Sequence, residues 1–237
     1  GPAVGEFETG LARYAGARHA VAVNSATSAL HIACLALGVG PGKRVWTSPN
    51  TFLASANCAL YCGADVDFVD IDPVTRNLSV TALEAKLKTA AAAGRLPDVV
   101  IPVHFSGEPC DMAAIATLAG RYGFRVIEDA AHAIGAQYRG TRIGDCRYSD
   151  MTVYSFHPVK IITSAEGGAI TTNDAALFHQ LQLLRSHGME RDPKNFGRAS
   201  DGPWYYEMVQ LGYNYRMTDV QAALGSSQLA RIESFIA

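Results

Sequence analysis

The chain has no apolar run long enough to cross a membrane and no apolar leader at its start, so a cytoplasmic, reducing setting is the expectation. It is also sparing with charge. Charged residues make up 18% of the 237 positions, the formal net charge is −2, and Lys and Arg form no patch, which excludes a nucleic-acid backbone as partner. Cys34, Cys58, Cys62, Cys110 and Cys146 are odd in number and irregularly spaced, which excludes a disulfide framework. Cys58 and Cys62 lie four apart, but two further ligands at similar spacing are missing, so they read as small buried side chains rather than half of a zinc site. There is no Gly-x-Ser-x-Gly elbow and no His-Glu-x-x-His pair. The glycines at 38, 40 and 42 follow a helical pattern rather than a strand, so they read as a helix C-cap and turn. Without the dinucleotide fingerprint, a NAD-dependent enzyme is disfavoured.

What the chain does have is alternation. Short β-rich runs fall at Ala20–Val23, Val45–Ser48, Val66–Asp70, Val99–Val103, Arg125–Glu128, Met151–Ser155 and Ala169–Thr172. Several are apolar without strict period two, as expected for strands covered on both faces. Helical patterns lie between and around them at Glu6–Tyr14, Thr27–Leu37, Leu53–Tyr61, Val80–Ala93, Met112–Tyr122, Ala175–Ser186 and from Thr218 to about Ile232. The pattern predicts an α/β protein, a three-layer α-β-α sandwich around a mainly parallel seven-stranded sheet, with 49% hydrophobic residues to build its core. Ligands in such folds sit beyond the carboxyl ends of the strands. Residues 190–202 are polar and rich in turn formers, and read as a long loop. The chain ends directly after a helix, which suggests a missing second domain.

Three strand ends carry residues fit for chemistry. After Val23, the segment Asn24-Ser25-Ala26-Thr27-Ser28 turns into a helix whose free N–H groups and dipole suit a phosphate; a plain N-cap is the competing reading. After Ile127 come Glu128, Asp129 and, three residues on, His132, so at least one carboxylate lies at the mouth of the sheet. There it needs a cationic partner such as a protonated pyridine nitrogen. A helix-capping Asp with a solvated Glu is the competing reading. Tyr154-Ser155-Phe156-His157-Pro158-Val159-Lys160 runs from a strand into a turn, and a Lys so placed can form a Schiff base with an aldehyde, although most Lys residues are surface groups. Phosphate turn, strand-end Asp and strand-end Lys together match the needs of a pyridoxal cofactor.

These segments resemble the DegT–DnrJ–StrS sugar aminotransferases of the aspartate aminotransferase superfamily, whose large domain has fold type I. So do residues 1–8, 36–42, 48–52 and 166–169, and Leu211-Gly212-Tyr213-Asn214-Tyr215-Arg216-Met217-Thr218-Asp219. The resemblance implies pyridoxal 5′-phosphate as cofactor. It implies Lys160 as the catalytic lysine joined to it and Asp129 as the partner of its ring nitrogen. Phe52 and His132 would lie on the two ring faces, and Ala26, Thr27, Ser28 and Ser155 would form the phosphate cup. Asn214 would reach the phosphate of a neighbouring subunit, which implies a homodimer.

A subgroup that replaces the lysine with His acts as a dehydratase, and Lys160 favours transamination instead. The segments 105–112, 157–160 and 204–208 resemble the branch that makes a 4-amino precursor of pseudaminic acid. Its chemistry would take glutamate as amino donor and a UDP-linked 2-acetamido-2,6-dideoxy-4-keto hexose as acceptor, within polysaccharide biosynthesis. Family members begin earlier with an N-terminal arm and continue into a smaller C-terminal domain. Residues 1–237 therefore read as the large cofactor-binding domain alone, with an inactive cofactor-binding fragment as the alternative function.

Overall fold

The computed structural model describes all of residues 1–237. The strands are β1 (His19–Val23), β2 (Arg44–Thr47), β3 (Asp65–Phe68), β4 (Val99–Ile101), β5 (Arg125–Asp129), β6 (Gln137–Tyr138), β7 (Thr141–Arg142), β8 (Met151–Ser155), β9 (Gly168–Thr172), β10 (Met189–Glu190) and β11 (Glu207–Met208). The helices are α1 (Pro2–Ala15), α2 (Ala26–Ala36), α3 (Ala54–Tyr61), α4 (Val80–Ala92), α5 (Met112–Tyr122), α6 (Ala175–Arg185), α7 (Asp219–Leu229) and α8 (Ile232–Ile236).

Seven strands form one sheet in the order β1-β9-β8-β5-β4-β2-β3, while β6–β7 and β10–β11 are separate two-stranded ribbons. The pairings from β8 to β3 are all parallel, and β9 runs antiparallel to both its neighbours. Strand alternation distributes side chains to the two layers. Val21, Val45, Val99, Ile127, Val153 and Ile170 meet Leu30, Ala33, Ala59 and Leu181 of α2, α3 and α6 on one face. On the other face, Ala20, Ala22 and Tyr154 meet Phe7 and Leu11 of α1, and Trp46, Val100 and Val126 meet Leu83, Leu87 and Ile115 of α4 and α5.

The expected three-layer sandwich is therefore present, and all seven anticipated strands join its sheet. The central strands β8 and β9 are buried along their whole length, whereas β3 is the edge strand and is largely exposed. The covering expected for the strands on both faces is incomplete there: Val66 packs against the cluster of α2, α3 and α6, while Asp65, Asp67 and Phe68 stay exposed. The helix anticipated from Thr218 to Ile232 breaks at Ala230–Arg231. The break turns Ile232 into the cluster around Phe7, where it is 2% exposed. No helix is long and apolar enough to cross a membrane.

Candidate active site

The carboxyl ends of the parallel strands open into a cavity of about 420 Å³. One wall is the start of α2. Ser25 is its N-cap, in an extended conformation, and its side chain accepts the backbone N–H of Ser28 at 3.1 Å. That leaves the N–H groups of Ala26 and Thr27, both at the cavity, without partners inside the helix. Two unsatisfied donors at the positive end of a helix form a cradle for an anion. The cradle lies so close to β9 that a Cβ on Gly168 would fall 2.5 Å from the nitrogen of Ala26. Ser155, at the end of β8, lines the same space. Ser28 does not. It is 8% exposed and hydrogen-bonded to Ser25, because the third helical position turns its side chain toward the protein, and Ser25 lines the cavity instead.

The floor is Asp129, the last residue of β5 and 5% exposed. Its Oδ1 accepts the N–H of Ala131 at 3.1 Å, and its Oδ2 accepts the hydroxyl of Ser55 at 2.6 Å. The preceding residue points to the opposite face. Glu128 is 3% exposed, not solvated, so half of that competing reading fails. Its Oε2 lies 2.8 Å from His104 Nε2, and its Oε1 is bonded by Thr152 at 2.9 Å and by Ser149. Burial opposes the Glu128 charge, but these donors hold its carboxyl below the usual range. His104 is neutral on geometric grounds, because the backbone N–H of Cys110 donates to Nδ1 at 3.1 Å, and an atom accepting there carries no proton. The ring is thus the neutral Nε2–H tautomer donating to anionic Glu128.

Lys160 closes a turn after β8, its N–H bonded to His157 O at 2.9 Å, and its Nζ lies 2.6 Å from His132 Nε2. An ammonium donating to that nitrogen leaves His132 neutral. Burial lowers the pKa of Lys160, with the charge of Asp129 working in the opposite direction. Burial and then the charge of Lys160 lower that of His132. Phe52 lines the cavity and is 74% exposed, an aromatic side chain that a flat ligand could meet. Asn214 lies outside this cavity and is exposed, on a segment held by a bridge to Ser186. Asn50, Thr51 and Glu166, from segments that carry the resemblance without an assigned role, also line the cavity, as does His104, which no motif marked. Ser55, which holds Asp129, was legible only as an unremarkable helical residue.

A flat, phosphorylated aromatic aldehyde answers all of these features: anion cradle, buried carboxylate for a ring nitrogen, amine for an aldehyde, aromatic for a ring face. The fold and its site thus define the class of pyridoxal phosphate-binding domains. The model of the DegT/DnrJ/EryC1/StrS aminotransferase family matches residues 1–237, and the chain belongs to that family. It is 43% identical over 232 residues to GDP-perosamine synthase of Caulobacter vibrioides, covering 98% of this chain and 57% of that protein. It is 42% identical over 234 residues to UDP-4-amino-4,6-dideoxy-N-acetyl-beta-L-altrosamine transaminase of Campylobacter jejuni, covering 98% and 58%. Among solved structures, Spr1654 from Streptococcus pneumoniae in its PLP form superposes with a TM-score of 0.83 at 30% identity, covering 99% of this chain and 60% of that one. The chain thus spans under two thirds of the length of these relatives.

Proposed function

We propose that the protein of which this chain is the large domain transfers an amino group from glutamate to the C4 keto group of a nucleotide-linked deoxy sugar. The observation that carries the reading is Lys160 Nζ beside His132 at the mouth of the sheet, above the buried carboxylate of Asp129. Bound here, pyridoxal phosphate supplies an electron sink for the carbanion left when the donor's Cα–H bond breaks. Ala26 and Thr27 would hold its phosphate through backbone N–H groups, with Thr27 and Ser155 hydroxyls beside them. Phe52 and His132 would flank its ring, and Asp129 would keep a proton on its nitrogen. Burial lowers the pKa of Lys160 and so eases release of the proton its ammonium shares with His132; the amine would then take the Cα proton of glutamate and, in the second half of the reaction, deliver a proton to C4 of the sugar.

The acceptor we favour is UDP-2-acetamido-2,6-dideoxy-4-keto hexose, on the route to pseudaminic acid. The Campylobacter transaminase named above supports a UDP sugar, and the Caulobacter synthase defines the competing GDP sugar. A second cavity of about 750 Å³, with Arg191 and Arg216 in its wall, supports a ligand that carries phosphates. Asn214, two residues from Arg216 and outside its own chain's cavity, supports a homodimer with shared sites. So do the exposed side chains of Phe52 at the cavity and of Leu53, Leu60 and Tyr61 along α3.

The test is the visible spectrum of the purified chain with pyridoxal phosphate, with Lys160→Ala as control. We expect a yellow band that glutamate bleaches in the parent chain. In the variant we expect no such band, retained binding through the phosphate, and turnover lower by at least about 10²–10⁴-fold. An unaltered band or unaltered turnover in Lys160→Ala removes Lys160 from the scheme. Parallel assays with UDP- and GDP-linked 4-keto sugars choose the acceptor.

A further inference from the structure

Asp129 is held from behind by a chain of hydroxyls. Ser55, on the first turn of α3, is fully buried and donates to Oδ2 at 2.6 Å. Thr51 Oγ1 lies 2.7 Å from Ser55 Oγ. Since Ser55 uses its single hydrogen on Asp129, the Thr51 hydroxyl donates to Ser55. Each oxygen of Asp129 therefore has one protein donor, Ser55 on one side and Ala131 N–H on the other, and both lock the carboxylate in a single rotamer. Phe52 lies three residues before Ser55. One short segment thus carries both the aromatic at the cavity rim and the hydroxyl behind the carboxylate.

We propose that Ser55 is a positioning residue for Asp129, fixing the carboxylate's orientation and holding its charge for the cofactor's ring nitrogen. The inference rests on the cofactor reading given above. A hydrogen bond to a carboxylate favours its charged form. Without Ser55 the Oδ2 atom loses its protein donor and the carboxylate is free to rotate, so both the charge and the direction of its pairing with the ring nitrogen are less well held. Both effects lower the fraction of protonated ring. Loss of one hydrogen bond to a charged group corresponds to about 10- to 100-fold in turnover.

The experiment is ¹⁵N NMR of the chain loaded with ring-¹⁵N pyridoxal phosphate, comparing the parent with Ser55→Ala and Ser55→Cys. Cysteine keeps the volume but is a weak donor. We expect a protonated-nitrogen signal in the parent and a shift toward the unprotonated ring in both variants. Turnover should fall about 10- to 100-fold. Cofactor affinity should stay within roughly threefold, because Lys160 and the phosphate cradle are untouched. A role in packing alone would lower Tm in Ser55→Ala and leave the nitrogen signal of Ser55→Cys at the parent position, which would overturn the proposal. So would parental turnover in Ser55→Ala, or a crystal structure of the loaded parent with Ser55 Oγ beyond about 3.5 Å from Asp129. A parent chain that binds no pyridoxal phosphate sinks the cofactor reading itself, a result distinct from variants that match a competent parent.

Discussion

Glu128 and Asp129 are neighbours in sequence, equally buried, and built for opposite purposes. Strand alternation sends them to different faces of β5. Glu128 receives His104, Thr152 and Ser149, which saturate it with donors from its own protein. Asp129 receives Ser55 and Ala131 and keeps lone pairs facing a cavity. A carboxylate with its donors complete holds the fold together. A carboxylate left short of donors at the mouth of a sheet is prepared for a cation that arrives from outside.

The sharpest way to break this comparison is to neutralise each in turn. Glu128→Gln replaces an oxygen that accepts from Thr152 and Ser149 with an amide donor and should cost about 1–3 kcal/mol of stability, read by denaturant unfolding. Its pH signature follows from the depressed carboxyl. Stability from Glu128 is complete above the unfolded pKa and is lost as pH falls through the lower folded value, so the acid limb of the stability curve should flatten in Glu128→Gln. Asp129→Asn should do the reverse, leaving stability nearly unchanged while lowering turnover by about 10²–10³-fold with cofactor still bound. Equal losses of stability in both variants would erase the distinction.

Smaller effects sharpen it. Gly168→Ala places a methyl against Ala26 and should cost about 1–3 kcal/mol, with weakened cofactor binding, because the cradle and β9 cannot both keep their places. Phe52→Ala touches an exposed side chain. It should leave Tm unchanged and weaken cofactor binding by about 0.5–1.5 kcal/mol, measured by titration of the visible band.

The sheet was legible because its strands are short, apolar and separated by helical patterns with recognisable caps. Asp129 and Lys160 were legible because strand ends in a parallel sheet face the ligand. What escaped depends on contacts remote in sequence. Nothing near Glu128 announces His104, 24 residues earlier, so a buried carboxylate resembled a solvated one. Ser55 acquires its meaning only by lying 74 residues from Asp129 in sequence and 2.6 Å away in space. The resemblance puts Ser28 in the phosphate cup, whereas the helix turn decides which hydroxyl meets the cavity. Residues 190–202 read as loop, yet β10 and β11 clamp the segment at its base through two residue pairs, Met189 with Met208 and Glu190 with Glu207, too few to leave a period.

The reversed direction of β9 has one more consequence. In an all-parallel sheet the segment after β8 would leave through a helix and return from the far end. Here it goes out and comes straight back, pinned by Phe156 N–H to Gly167 O at 2.9 Å and Ser164 N–H to Phe156 O at 3.0 Å. The lysine therefore rides on a closed connection tied back to the strand ends, and Ile162 and Ser164 within it are fully buried. The reach of the amine is thus set by the core itself, so an insertion or deletion there should displace Lys160 and cost stability together.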